Sequence, residues 1–160
     1  MNQKPLVVIL MGSPADLDHA RAIQAAAVKL SLDVEVRIGS AHRTPGHVLT
    51  LLSHYENDPR PKVYITVAGR SNALSGFTDP QVTAPVIACP PPGEEVDLWS
   101  SLRMPPGVAP AVVLEPVNAA LFAAKILSIV DPAVAAAVAS EQNRQRERVT
   151  AADADLRGTS

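Results

Sequence analysis

The sequence predicts an α/β fold: a flavodoxin-like three-layer α/β/α sandwich with a five-stranded parallel sheet and an added C-terminal helix. Three observations predict it. Leu6–Met11 is an unbroken apolar run between Pro5 and Gly12, with the length and branching of a strand covered on both faces. Such runs alternate along the chain with segments of helical period, which is the pattern of βαβ units and a parallel sheet. Right-handed crossovers then place helices on both faces of that sheet.

The elements follow in order. After the first strand, Leu17, Ala20, Ile23, Ala27 and Leu30 fall at spacings of three and four, predicting a helix over 16–30. Asp33–Ile38 is a second strand, with Val34, Val36 and Ile38 alternating with Glu35 and Arg37. Pro45 opens a helix from its first turn, with Val48, Leu49, Leu52 and Tyr55 on its inner face. Residues 63–68, 85–89 and 111–114 are the remaining strands. Glu115-Pro116 starts a helix through Leu121, Phe122, Ile126 and Ile129, and Asp131-Pro132 starts another, Ala-rich and then charged. The stretch 89–110 is irregular apart from residues 97–103; a long loop in a compact domain is usually functional or an assembly surface. Residues 1–130 form the main domain and 131–160 a C-terminal helix and polar tail, which packs on the same or a neighbouring subunit and frays beyond Ala151.

Composition narrows the function. The chain has 160 residues, 47% hydrophobic and only 3% aromatic, so its core is aliphatic and large enough to need no staple. The formal charge of −2 argues against a nucleic-acid binder. A single cysteine, Cys89, excludes an intrachain disulfide and a cysteine-rich metal site, and fits a reducing compartment. No apolar run reaches the length of a membrane span, and Leu6–Met11 reads as a strand rather than a signal peptide.

In an open parallel sheet, ligands bind beyond the carboxyl ends of the strands. Gly12, Ser13, Pro14, Ala15 and Asp16 follow the first strand. Gly39, Ser40, Ala41, His42 and Arg43 follow the second, and Gly69, Arg70, Ser71 and Asn72 the third. Each has a plain reading. Ser13 and Asp16 suit a helix cap, although a capped helix start is also an anion site. The glycines suit tight turns. His42 suits a surface loop, and Arg43 either a solvated charge or a phosphate grip. Arg70 is an unusual filler between Gly69 and Ser71. Cys89 suits an inert buried thiol, and His19, His47 and His54 suit ordinary helix surfaces. There is no metal constellation, no Gly-Lys-Ser phosphate loop, no dinucleotide fingerprint and no nucleophile elbow. One imidazole among hydroxyls and cations remains: a site for an anionic small molecule and a proton transfer without a cofactor.

These loops resemble the PurE family, the aminoimidazole ribonucleotide (AIR) carboxylases of purine biosynthesis. The likeness is carried by Gly12-Ser13-x-x-Asp16, Ser40-Ala41-His42-Arg43 and Ala68-Gly69-Arg70-Ser71-Asn72. It extends to Pro85-Val86-Ile87-Ala88-Cys89-Pro90-Pro91 and Asp97-Leu98-Trp99-Ser100-Ser101-Leu102-Arg103, covering about residues 6–130. One class of the family moves a carboxylate from the 5-amino nitrogen to carbon 4, and typically carries Gly-Gly-Ala-Ala-His after the third strand. Gly69-Arg70-Ser71-Asn72-Ala73 instead resembles the class that adds carbon dioxide directly to carbon 4. The resemblance implies reversible carboxylation of AIR to 4-carboxy-AIR with no biotin, ATP or metal. His42 would be the acid/base, since imidazoles titrate near neutrality. Ser13 would hold the carboxylate or carbon dioxide, and Asp16 the ribose hydroxyls. Ser40 and Arg43 would bind the 5′-phosphate, and Gly12 and Ala41 would contact the substrate. Amides near Gly69, Ser71 and Asn72 would line the carboxylate pocket. Arg70 would either stabilise developing charge or shape its loop. It further implies a cytoplasmic homo-oligomer, an octamer or else a tetramer. The alternatives are the mutase of the sister class, a non-catalytic nucleotide-binding module, and a flavin electron carrier, the last disfavoured by the scarcity of aromatics. One departure stands out: Ala15 replaces the family's usual Ser, one phosphate donor fewer, worth about 0.5–1.5 kcal/mol.

Overall fold

A computed structural model describes residues 3–158. Its five strands are β1 (Leu6–Met11), β2 (Asp33–Ile38), β3 (Lys62–Val67), β4 (Val86–Ala88) and β5 (Ala111–Val112). They form one parallel sheet in the order β2-β1-β3-β4-β5. The order doubles back at β1, so the chain winds outward in both directions from the β1–β3 pair. Burial follows position in the sheet: every residue of β1 and β4 is buried, whereas edge strand β2 is half-exposed along its length. That explains why β1 reads as continuous apolar sequence and β2 as an alternation.

The helices are α1 (Leu17–Lys29), α2 (Pro45–Glu56), α3 (Ala73–Thr78), α4 (Glu95–Leu102), α5 (Pro116–Leu127) and α6 (Pro132–Gly158). Two cores lie on opposite faces of the sheet. Val7, Ile9 and Met11 of β1 point toward α1, α5 and the start of α6; Leu6, Val8 and Leu10 point toward α2 and α3. This is the three-layer sandwich that the alternating pattern predicts.

Four details differ from the expectations. On α2 the buried face is Val48, Leu51, Leu52 and Tyr55, and Leu49 is exposed, because Leu51, three residues after Val48 and four before Tyr55, shares their stripe. On α5 the buried residues are four alanines, Ala119, Ala120, Ala123 and Ala124, and Leu127, while Ile129 lies beyond the helix and is 83% exposed. The interruption expected at 97–103 within the stretch 89–110 is the two-turn helix α4, which begins two residues earlier. Residues beyond Ala151, expected as a fraying tail, continue α6 to Gly158: their Ala, Asp, Leu and Arg include good helix formers, and Arg157 pairs with Asp153 one turn away at 2.7 Å. Val134 and Val138 are the buried residues of α6, and both reach the core of this same chain.

Candidate active site

The carboxyl ends of β1, β2 and β3 open onto a cleft of about 690 Å³. It lies at the reversal of strand order, where open parallel sheets bind ligands. The loops leave the sheet on adjoining rungs: the Gly12 amide donates to the Val67 carbonyl at 2.8 Å and the Gly39 amide to the Met11 carbonyl at 2.9 Å. Two glycines let the walls close up. A Cβ on Gly39 would stand 2.8 Å from Val48 Cγ2, and one on Gly69 would stand 3.3 Å from the Pro91 ring.

In the first loop, Ser13 Oγ accepts from the Ala15 amide at 3.3 Å and caps a single 3-10 turn, Pro14–Asp16. The capping reading therefore applies to Ser13. Asp16 makes no side-chain cap bond at the start of α1. Partial burial pushes its carboxyl above the ordinary value, opposed by the charge of His19 and the Ser13 amide.

The second loop is a tight turn. Ser40 Oγ accepts from the Arg43 amide at 3.2 Å, and Thr44 Oγ1 accepts from the Ser40 amide at 3.0 Å. The turn lifts His42 and Arg43 into exposed positions on the cleft wall. In the third loop Ser71 takes a left-handed backbone, φ 44°, and turns Arg70 toward the same cleft.

Of the residues singled out by sequence, Gly12, Ser13, Asp16, Ser40, Ala41, His42, Arg43, Gly69, Arg70 and Ser71 line this one cleft. Asn72 does not. It is buried, its Oδ1 accepts from the Ser75 amide at 3.3 Å and caps α3, and its Nδ2 donates to Ser101 Oγ at 2.9 Å. The amides of Ser71 and Asn72 are likewise taken up by α4 rather than free to bind a carboxylate group. Ala15, Ala68, Ala73 and Leu74 supply the apolar part of the lining.

The electrostatics favour an anion. Asp16 is the one carboxylate lining the cleft, against Arg43 and Arg70, and neither guanidinium forms an ion pair with a described residue. Among the described residues no three His, Cys, Asp or Glu side chains converge as a metal site.

Sequence reasoning missed a pair behind the first loop, a half-buried imidazole against a buried thiol. His19 Nε2 lies 3.4 Å from Cys89 Sγ, so His19 is not an ordinary surface residue. Helical spacing from Asp16 was the available signal. Burial lowers the His19 pKa, and the Cys89 contact and the charges of Asp16 and Glu115 only partly oppose this. His47 instead anchors α2 by donating to the Ile38 carbonyl at 3.1 Å, and His54 is exposed. Burial, with the Glu115 charge, raises the Cys89 thiol to about 12. A raised thiol pKa binds its proton more tightly in the folded chain. Its contribution to stability is complete below the ordinary value of 9.0 and is lost as pH rises from there toward 12. Cys89 in the native chain is therefore expected to resist iodoacetamide at pH 8 and to label only in denaturant. Rapid native labelling would contradict this placement.

A family model described as AIR carboxylase matches residues 6–148. The chain belongs to the AIR carboxylase family. A phosphoribosylaminoimidazole carboxylase of Treponema denticola is 48% identical over 157 residues, covering 96% of this chain and 99% of that protein. One from Archaeoglobus fulgidus is 46% identical over 153 residues, covering 94% and 84%. The crystal structure of Treponema denticola PurE superposes with a TM-score of 0.94 at 49% identity, covering 96% of this chain and 99% of that one. The AIR carboxylase assignment makes this chain an enzyme of purine biosynthesis, and it accounts for the order of motifs along the three loops. Among the described residues no helix is long and apolar enough to cross a membrane.

Proposed function

We propose that this AIR carboxylase joins carbon dioxide directly to carbon 4 of aminoimidazole ribonucleotide, with His42 as the acid/base. One observation carries the reading: a single imidazole and two guanidiniums with no ion pair among the described residues, from two strand-end loops, share one cleft with one carboxylate from a third. The aminoimidazole is an electron-rich enamine. Its carbon 4 supplies the electron pair for the new bond to the carbon of carbon dioxide, and one C=O π pair moves to oxygen to give a carboxylate. The hydrogen on carbon 4 then leaves as a proton to His42 and returns to carbon in the reverse direction. Atoms and charge balance without ATP, biotin or a metal.

Arg43 and the Ser40 turn would take the 5′-phosphate and Asp16 the ribose hydroxyls. Ser13 and the Gly69 turn would hold the nascent carboxylate, with Arg70 facing its charge. The loop Gly69-Arg70-Ser71-Asn72 supports the carbon-dioxide-using class over the mutase. The reading includes a cytoplasmic homo-oligomer, an octamer or else a tetramer, in which exposed Trp99, Val117, Ile129 and Val130 are apolar surface for subunit contacts.

The test is turnover of purified protein with AIR and bicarbonate, without ATP. Expected is 4-carboxy-AIR at a rate that scales with dissolved carbon dioxide. Consumption of the N5-carboxylated substrate alone would assign the mutase instead. Ribonucleotide binding without turnover of either substrate would leave a nucleotide-binding module.

A further inference from the structure

The structure assigns Asp97, Ser100 and Ser101 of α4 as positioning residues that latch the Arg70 turn over the cleft; we infer this on top of the carboxylase reading. The latch has three parts. Asp97 Oδ1 accepts from the Ser71 amide at 3.2 Å. Ser100 Oγ accepts from the Asn72 amide at 2.7 Å while donating its own proton to the Asp97 carbonyl at 2.7 Å. That donation leaves the Ser100 lone pairs toward Asn72. Ser101 Oγ accepts from Asn72 Nδ2 at 2.9 Å, and Asn72 Oδ1 in turn accepts from the Ser75 amide at 3.3 Å.

The turn needs such a latch. Ser71 sits at φ 44°, a backbone region that costs a non-glycine residue free energy unless its surroundings hold it there. Asn72, beside it, is buried, so its polar groups must be satisfied within the protein. Arg70 is exposed and has no partner of its own among the described residues. The direction in which its side chain leaves the turn is therefore set by the backbone at Ser71 and Asn72. Asp97 itself lines the depression on the other side of that turn, together with Gly69 and Arg70. The charge on Asp97 strengthens its bond to the Ser71 amide, which no neutral side chain matches in full.

A double-mutant cycle tests this. Asp97→Ala and Ser100→Ala are each expected to lower kcat about tenfold, the scale of one charge-assisted or buried hydrogen bond. The KM for the ribonucleotide should stay nearly fixed, since the phosphate and ribose contacts lie on other loops. Asp97→Asn, which keeps an acceptor, should recover most of the rate. In an Arg70→Ala background, Asp97→Ala should cost clearly less than in the parent, the remainder coming through the Gly69 turn. An equal loss in both backgrounds, or no loss in either, overturns the inference. Hydrogen exchange supplies a readout that does not depend on turnover. The Ser71 and Asn72 amides should be protected in the parent chain and exposed in Asp97→Ala and Ser100→Ala, with α1 and α2 unchanged. Unprotected amides in the parent chain overturn the latch even if the enzyme turns over. Protected amides in a chain that turns over nothing keep the latch and sink the carboxylase reading instead.

Discussion

His42→Asn is expected to reduce carboxylation and decarboxylation at least about a hundredfold, within the 10²–10⁴ range of a general acid/base, while ribonucleotide affinity changes little. Asparagine preserves polarity and approximate size but has no nitrogen that takes up and returns a proton near neutrality. The substitution should not disturb the fold. His42 is exposed, and its side chain makes no hydrogen bond or ion pair with a described residue. The turn that carries it is held by Ser40 and Thr44. The phosphate contact assigned to Arg43 and the ribose contact assigned to Asp16 survive the change. Steady-state kinetics with AIR and bicarbonate, and calorimetric titration with AIR alone, separate the two quantities. Turnover within a few-fold of the parent enzyme would remove His42 from the proton transfer. Loss of binding in proportion to loss of rate would instead make it a binding residue.

Much of this site is legible in sequence because parallel-sheet topology does the assembling. Once β1, β2 and β3 are recognised as adjacent parallel strands, their carboxyl ends must share an edge. Gly12–Asp16, Gly39–Arg43 and Gly69–Ser71 then have to meet, whatever the detailed loop conformations. What topology cannot supply is which polar groups are already spent. Asn72 carries the same side-chain chemistry whether it faces a ligand or caps a helix. Only the six-residue α3 and the two-turn α4 decide that it is buried between Ser75 and Ser101. Both helices are too short for a periodic signal, and α4 sits inside a proline-rich stretch. The His19–Cys89 contact was hidden for a related reason: its partners are 70 residues apart and meet only when α1 crosses the end of β4.

The face of α5 shows the same limit in the core, and it gives the largest expected effect on stability. Ala123→Leu should destabilise the chain by about 1–3 kcal/mol, although it replaces one apolar residue by a better helix-packing one on most surfaces. Ala123 is fully buried among Ala119, Ala120, Ala124 and Leu127, where α5 lies against Ala20, Ile23 and Ala27 of α1. Small residues on both helices let their axes approach, and the separation of packed helices depends on the side chains between them. A leucine at this fully buried position must push the helices apart or leave its rotamer. At about 2–4 °C per kcal/mol for a chain of this size, the melting temperature should fall by roughly 2–12 °C. The same substitution at Ala25, exposed on α1, should change stability by less than about 0.5 kcal/mol. Urea or thermal unfolding of the two variants reads the difference, and equal melting temperatures would show that the α1–α5 contact is loosely packed. The effect reaches the site as well. Asp16 is the residue at which α1 begins, so a displaced α1 carries the carboxylate assigned to the ribose with it. Ala123→Leu should therefore raise the KM for the ribonucleotide at temperatures where the chain is still folded, and Ala25→Leu should not.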